Sequence, residues 1–236
     1  NGHGTHVAGI IAGSGKGSNG KYRGIAPDTF LVSVKVLDKS GNGKIENVVE
    51  AAGWIIENKS AMNIRVVNIS FGTRAKMENG PAIETGEDDY ALIMAVEKMW
   101  DSGIVVVAAA GNNGPGNASV TAPGISKKII TVGAFDDKNF FSGRGPTREC
   151  IVKPEVVVTG SNIIACNNRQ GRYSSKSGTS MAAPVVSGAV ARLIKNNPDI
   201  TPKEVKIWMK SCCKKINVPS EKQGWGVLDI RKFVTG

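Results

Sequence analysis

The run IVVVAAAGNNG, residues 104–114, decides the fold class because seven apolar residues lead directly into a glycine and two asparagines. A short, continuous apolar run bounded by turn residues is typical of a strand that is buried on both faces. Such strands belong to parallel sheets, whose faces are covered by crossover helices. The run therefore predicts a central strand of an α/β domain, with polar side chains at its carboxyl end.

Further strands and amphipathic helices are predicted to alternate along the rest of the chain. Strands are predicted at residues 30–37, 65–70, 128–134 and 155–159. Helices are predicted around Val7, at residues 45–58, 90–102 and 180–195, and from Thr201 and Pro202, which suit an N-cap and a first helical turn. Residues 73–89 follow neither period and are predicted to form an irregular loop. No linker or repeat divides these elements, so one domain is expected.

Charge and hydropathy narrow the range of partners. The chain has 236 residues and a net charge of +10, which permits an acidic or nucleic-acid partner. The densest basic stretch, residues 203–215, contains a single aromatic, Trp208, whereas base stacking needs more aromatic side chains, so no nucleic acid is expected. The apolar runs are shorter than the ~20 residues that cross a bilayer, so no membrane span is expected. The compartment stays open between secretion and the cytoplasm.

Two histidines, His3 and His6, open the first predicted helix in the sequence NGHGTHVAG. A pair spaced by three could share a metal, but zinc proteases space their histidines by four with a glutamate between them, and no carboxylate lies nearby here. No metal is therefore assigned. The other interpretation makes one imidazole a general base, which requires a nucleophile from elsewhere in the fold.

Ser180, in SGTSMAAP (residues 177–184), is the candidate nucleophile, because it opens a helix whose amide groups and dipole favour negative charge. The alternative is an ordinary helix cap. Asn112 follows the central strand at the edge where α/β sheets build their sites. Its amide could donate to an oxyanion, although an isolated asparagine there would be read as a turn residue.

Together, HGTHVAG, AAAGNNG and GTSMAAP resemble, in order and spacing, three of the four signature segments of the subtilisin-like serine proteases, the subtilases. The segments GIAP, VKVLD, NISFG and ITVGA extend the resemblance over nearly the whole chain. It implies a subtilisin-like three-layer sandwich, with a mostly parallel central sheet flanked by helices, formed by residues 1–236. It also implies a serine endopeptidase that works through an acyl-enzyme intermediate.

The resemblance assigns roles by position. His3 matches the general base and His6 a structural histidine, while Ser180 matches the nucleophile and Asn112 the oxyanion amide. A peptide or protein substrate would lie extended between two edges and place one side chain in a pocket. The small, uncharged pocket suits an apolar or medium-sized side chain. The implied edges are Gly41, Asn42, Gly43 and Ser70, Phe71, Gly72, and the implied pocket residues are Ala109, Ala110, Gly111 and Thr121.

The family's fourth signature, an aspartate in D-[ST]-G, comes before the base, yet only Asn1 and Gly2 precede His3. We expect the domain to be N-terminally truncated, with the first strand and the catalytic aspartate supplied by a missing N-terminal segment or by a separate chain. The chain alone should be nearly inactive, since losing that carboxylate lowers turnover ~10⁴-fold in a related triad. Asp101 also starts an Asp-Ser-Gly, but it follows His3 and ends a predicted helix, so it is interpreted as a surface residue.

One alternative stays open for the function and one for the ligands. A catalytically silent subtilase-like module could bind peptides or regulate a true protease. No cofactor is assigned. Subtilases often bind structural calcium, and carbonyl oxygens of the loop at residues 13–24 could hold it, but this loop offers Asn19 and no carboxylate.

Overall fold

The computed structural model describes residues 2–73, 86–138, 140–168 and 173–236. Its helices are α1 (His3–Ala12), α2 (Ile45–Asn58), α3 (Glu87–Asp101), α4 (Thr179–Asn196), α5 (Pro202–Ser211), α6 (Ser220–Gln223) and α7 (Ile230–Val234). Its strands are β1 (Val66–Ile69), β2 (Val105–Ala109), β3 (Ile130–Ala134), β4 (Val156–Val158), β5 (Ile163–Cys166), β6 (Tyr173–Lys176), β7 (Cys213–Lys214) and β8 (Val227–Leu228).

Six of these strands form one sheet in the order β1-β2-β3-β4-β8-β7. The neighbours from β1 to β4, and β4 with β8, run parallel, whereas β7 runs antiparallel to β8. β5 and β6 form a separate antiparallel hairpin. The predicted mostly parallel sheet is confirmed, and the carboxyl ends of β1 and β2 lie side by side at one edge.

Two pairs of helices flank the sheet. α4 packs across β1 to β4, and α1 packs on α4. α3 packs against β2, and α2 packs on α3. Every residue of β2, β3 and β4 is buried, and each fully buried valine or isoleucine contributes about 1.5–3 kcal/mol. The predicted α/β arrangement is therefore confirmed, with the core between the helices and the sheet.

The predicted strand at residues 30–37 is wrong. The segment forms no regular secondary structure and joins no sheet, and Phe30 is 99% exposed. Leu31, Val32 and Val34 are exposed as well. An alternating apolar pattern makes a strand only where a neighbouring strand completes the ladder, and among the described residues β1 pairs only with β2. The apolar pattern is thus present without a strand beside it.

The predicted loop at residues 73–89 is only partly testable, because residues 74–85 lie outside the described residues. At its end the prediction is wrong, since α3 already begins at Glu87. Three acidic residues, Glu87, Asp88 and Asp89, occupy the first turn of α3, where negative charge is favourable. Asp101 ends the same helix and pairs with Lys128 at 2.7 Å on the surface, which confirms its interpretation as a surface residue.

The start of α5 follows the sequence prediction closely. Thr201 is the N-cap and Pro202 the first helical residue. The hydroxyl of Thr201 accepts a hydrogen bond from the backbone N–H of Glu204, and the carboxylate of Glu204 accepts from the backbone N–H of Thr201, which completes a capping box. No helix in the described ranges is long and apolar enough to span a bilayer.

Candidate active site

Ser180 is the second residue of α4 and is half-buried. The N-cap before it, Gly178, has φ 143°, a backbone conformation that favours glycine. A Cβ added at Gly178 would lie 3.3 Å from Nδ2 of Asn112. The absence of a side chain at residue 178 therefore lets the amide of Asn112 approach the start of the helix that carries Ser180.

Asn112 lies just beyond the carboxyl end of β2 and is held by Thr179. Its Oδ1 accepts hydrogen bonds from the backbone nitrogen of Thr179 at 3.0 Å and from the hydroxyl of Thr179 at 3.1 Å. The same hydroxyl oxygen accepts a hydrogen bond from the backbone N–H of Gly111 at 3.1 Å. Both donors use Oδ1, so neither of them occupies the hydrogens of Nδ2, which can donate to another acceptor.

Ser70 follows β1 and forms a reciprocal pair with Ser180. Its hydroxyl donates to the carbonyl oxygen of Ser180 at 3.0 Å, and the hydroxyl of Ser180 donates to the carbonyl oxygen of Ser70 at 3.1 Å. The sequence placed Ser70 on a substrate edge and missed this contact. A proline four residues after Ser180 was the available signal, because it leaves the carbonyl of Ser180 without a helical donor.

His3 is the first residue of α1, which packs on α4. A Cβ added at Gly188 of α4 would lie 3.5 Å from the carbonyl oxygen of Ile11. Ile11 follows His3 by eight residues, just as Gly188 follows Ser180 by eight. At the other end of the two helices, the charge of Lys176, four residues before Ser180, acts on His3. The two amino-terminal ends, with His3 and Ser180, therefore lie at the same end of the molecule.

The surroundings of His3 favour its neutral form. Partial burial lowers the pKa of the imidazole, and the nearby charges of Lys176 and His6 lower it further. Burial disfavours an imidazolium because it removes the hydration of the charge, and neighbouring cations repel it. An imidazole in this environment is poised to accept a proton.

His6 is completely buried and joins α1 to the β5–β6 hairpin. Its Nε2 lies 3.1 Å from the carbonyl oxygen of Ile163 and 3.0 Å from that of Ser174. Both partners are acceptors, so Nε2 carries the proton. Burial lowers the pKa of His6 as well. Within the described part of the chain, no three His, Cys, Asp or Glu side chains are grouped as metal ligands.

The predicted pocket residues converge around Thr121. A Cβ added at Gly72 would lie 2.6 Å from the Thr121 hydroxyl, and one added at Gly111 would lie 2.7 Å from it. Ala109 and Ala110 are buried where β2 ends. The structure thus brings one predicted substrate edge together with the predicted pocket, next to Asn112.

The other predicted edge, Gly41, Asn42 and Gly43, forms a turn. The carbonyl oxygen of Asn42 accepts a hydrogen bond from the backbone N–H of Asp38 at 2.8 Å, and a Cβ added at Gly43 would contact the carbonyl oxygen of Val36. Val36 and Phe71 both pack on the small cluster formed by Val48, Leu92 and Ala122. This shared cluster links the turn to the edge at Ser70, Phe71 and Gly72.

Residues 1–226 match the Subtilase family. Serine protease AprX of Bacillus subtilis (strain 168) is 40% identical over 238 aligned positions, which cover 89% of this chain and 52% of AprX. Subtilisin DY of Bacillus licheniformis is 35% identical over 87% of this chain and 68% of its own. The chain thus spans about half the length of AprX.

Solved structures agree with the sequence relatives. Sphericase superposes with a TM-score of 0.81 at 26% identity and covers 97% of this chain and 77% of its own. The prenylagaramide maturation protease PagA superposes with a TM-score of 0.77 at 26% identity, over 99% of this chain and 81% of its own. With its sheet, its flanking helices and its motifs in the same order, the chain belongs to the subtilase family of serine proteases.

Proposed function

We propose that this chain is the main part of a serine endopeptidase domain, with Ser180 as the nucleophile, His3 as the general base and Asn112 as an oxyanion donor. One observation carries the proposal: the amide of Asn112, held by Thr179, lies beside the start of the helix that bears Ser180. A helix N-terminus and an oriented amide together favour the oxyanion that forms during acyl transfer.

Acylation follows from these positions. His3 takes the hydroxyl proton of Ser180 while Oγ bonds to the scissile carbonyl carbon, and the carbonyl oxygen becomes an anion that accepts hydrogen bonds from Nδ2 of Asn112 and the backbone N–H of Ser180. The carbon–nitrogen bond then breaks, and His3 gives its proton to the leaving amine. Water repeats these steps to release the acid and restore the hydroxyl of Ser180.

The hydroxyl of Ser180 has to turn before it reacts. It donates to the carbonyl oxygen of Ser70 at 3.1 Å, and a proton held there is not available to an imidazole. Rotation about the Cα–Cβ bond of Ser180 exchanges one staggered position for another and aims Oγ at His3. The lowered pKa of His3 supports the proposal, because the imidazole is then neutral and able to accept the proton.

A carboxylate from outside the described residues is proposed to complete the triad, supplied either by an upstream segment or by a separate chain. Residues 30–37 support this proposal. Phe30, Leu31, Val32 and Val34 are exposed there without a ladder partner, and β1 pairs on one side only among the described residues. A strand inserted between this segment and β1 would cover the apolar side chains and supply the missing hydrogen bonds.

Substrate is proposed to bind as an extended strand between the two edges, one at Gly41, Asn42 and Gly43 and the other at Ser70, Phe71 and Gly72. Main-chain hydrogen bonds give such a site affinity without strict sequence demands. The pocket formed by Ala109, Ala110, Gly111 and Thr121 is small and uncharged, which favours an apolar or medium-sized side chain before the cleaved bond.

Labelling with a fluorophosphonate tests the enzymatic proposal on the full-length protein. We expect a covalent adduct on Ser180, identified by mass spectrometry, and no adduct in Ser180→Ala. Ser177→Ala is the matched control, because Ser177 is exposed three residues earlier and should not affect labelling. A folded, full-length protein that forms no adduct would overturn the proposal. It would favour the alternative, a catalytically silent module that binds peptides or regulates a true protease. In that case Ser180→Ala would leave the biological function unchanged.

A further inference from the structure

Pro184 lies inside α4 and removes one hydrogen bond of the helix. An α-helical carbonyl accepts from the N–H four residues later, and for Ser180 that residue is Pro184, which has no N–H. The carbonyl oxygen of Ser180 would therefore be unpaired next to the proposed nucleophile. The hydroxyl of Ser70 takes the place of the missing donor, at 3.0 Å.

The hydroxyl of Ser70 is itself held by two further side chains. Nδ2 of Asn68 donates to Oγ of Ser70 at 2.9 Å, and the hydroxyl of Ser187 donates to Oδ1 of Asn68 at 2.9 Å. Each group thus donates to the next one, from Ser187 to Asn68, to Ser70 and to the carbonyl of Ser180. This Ser187–Asn68–Ser70 chain starts on α4, passes through the end of β1 and returns to α4.

The ends of this chain of hydrogen bonds are shielded from water. Ser187 is 2% exposed and Ser70 is 8% exposed, so water does not replace a lost partner there. Ser187 also lies 3.2 Å from the carbonyl oxygen of Ala183, a longer contact than the one to Asn68. Since a hydroxyl has one proton, the shorter bond to Asn68 fixes its direction.

We propose that Ser187, Asn68 and Ser70 are positioning residues that fix the backbone of Ser180 against the gap left by Pro184. This inference rests on the proposed function. Without the Ser187–Asn68–Ser70 chain, the first turn of α4 would shift, and Oγ of Ser180 would move relative to His3 and Asn112. Small displacements of reacting groups lower the rate of the chemical step more than they weaken substrate binding.

Steady-state kinetics of the full-length protein on a peptide p-nitroanilide test the role of Ser187, the end of the Ser187–Asn68–Ser70 chain that is farthest from Ser180. Ser187→Ala is expected to lower kcat about tenfold with KM unchanged, since one net hydrogen bond corresponds to about that factor. Ser187→Thr, which keeps the hydroxyl, should restore most of kcat. Ser126→Ala is the matched control, because Ser126 is also buried but bonds to Glu97 of α3. An unchanged kcat in Ser187→Ala would contradict the proposal.

Pro184→Ala gives a second test, because alanine returns an N–H that can donate to the carbonyl of Ser180. Ser70→Ala should lower kcat about tenfold alone, but less than about threefold when Pro184→Ala is also present. The same coupling should appear in urea unfolding of the wild type, the two single variants and the double variant: Ser70→Ala should lower the midpoint less when Pro184→Ala is present. Equal losses from Ser70→Ala in both backgrounds would overturn the proposed role of Ser70.

These outcomes separate the positioning role from the proposed function. If Ser180 is labelled and substrate is cleaved normally in Ser70→Ala and Ser187→Ala, only the positioning role is overturned. If the unsubstituted full-length protein neither reacts nor cleaves, the proposed function is overturned and the positioning role falls with it. In that case, coupling between Ser70→Ala and Pro184→Ala in the urea midpoints would show that the Ser187–Asn68–Ser70 chain stabilises the fold and has no catalytic role.

Discussion

Thr179 determines which way the side chain of Asn112 faces. Its backbone nitrogen and its hydroxyl both donate to Oδ1 of Asn112, at 3.0 and 3.1 Å. Thr179 is completely buried, whereas Asn112 is exposed. The buried residue thus orients the exposed one, because both donors of Thr179 face Oδ1 and the amide nitrogen of Asn112 faces away from them.

We predict that Asn112→Ala lowers kcat about 10²- to 10³-fold, the usual effect of removing one oxyanion donor. It should also destabilise the fold by about 1–3 kcal/mol, because both donors of Thr179 lose their acceptor. Asn112→Asp keeps that acceptor but has no N–H to donate, so it should lose activity while staying close to wild type in stability.

Kinetics and urea unfolding of both Asn112 variants check this prediction. Asn113→Ala is the control, because Asn113 is the neighbouring asparagine and no role is proposed for it. An Asn112→Asp protein with normal kcat would show that the amide nitrogen donates nothing to the transition state.

Lys176 is predicted to shift the acidic limit of activity. Burial is the largest cause that lowers the pKa of His3, and the charge of Lys176 lowers it further. A base works only when it is neutral. Lys176→Gln should raise the pKa of His3, so that the acidic limb of the kcat/KM profile moves to higher pH. Lys195→Gln, near the other end of α4, should leave the limb in place.

Measurement of kcat/KM against pH for the wild type and both lysine variants decides the point. A limb that moves to lower pH in Lys176→Gln, or does not move, would mean that the imidazole of His3 does not respond to this charge. Substrates without ionisable side chains keep the titration confined to the protein.

Local sequence signals were enough to predict the elements whose burial is visible in their own residues. The run at residues 104–110 predicted β2 correctly, because a strand that is buried on both faces has to be apolar along its whole length. The segment at residues 30–37 is also mostly apolar, with Ser33 and Lys35 as its polar residues, but it has no ladder partner among the described residues. A local pattern carries no information about partners. Polar β6 (Tyr173–Lys176) was missed for the opposite reason, since pairing with β5 forms it without an apolar pattern.

The candidate site was accessible from the motifs, whereas its supporting hydrogen bonds were not. His3 and Asn112 are 109 residues apart and Asn112 and Ser180 are 68 apart, and only the resemblance joined them. Ser70 was expected on a substrate edge, yet its bond to the carbonyl of Ser180 depends on how β1 and α4 pack. Lys153 was missed altogether, because charged residues are expected on the surface and this one is completely buried.

Gly111 is predicted to tolerate no side chain. It has φ 90°, and a Cβ there would lie 2.7 Å from the hydroxyl oxygen of Thr121. Gly111→Ala should therefore destabilise the fold by about 1–3 kcal/mol and reduce kcat/KM. Thr121→Ala removes the clashing atom but not the backbone strain, so the double variant should recover only part of the stability.

Urea unfolding of the two single variants and the double variant checks the Gly111 prediction. Additive effects would contradict it, because residues that clash directly must couple. Gly103→Ala provides a comparison, since Gly103 has φ 92° but open space around its Cβ position. It should show the strain without the clash.

Glu155 is predicted to matter more for stability than either lysine that contacts it. Nζ of Lys153 lies 2.7 Å from Oε1 of Glu155, and Nζ of Lys206 lies 2.9 Å from the same oxygen. Glu155→Gln leaves two ammonium groups facing each other in a buried site and should cost about 3–5 kcal/mol. Lys153→Met leaves Glu155 paired with Lys206 and should cost less. Equal losses in the two variants, measured by urea unfolding, would contradict this ranking.

Lys153 should also give stability a distinct pH dependence. Burial lowers the pKa of Lys153 from 10.5 to about 8, with the charge of Lys206 acting in the same direction and Glu155 and Glu97 opposing it. Between these two pH values the unfolded chain binds more protons at this position than the folded chain, so this lysine makes the free energy of unfolding rise with pH. Lys153→Met removes that rise, whereas Lys127→Met, at an exposed lysine, should not. If the difference between wild type and Lys153→Met stays constant from about pH 8 to about pH 10.5, the buried ammonium does not titrate in this range.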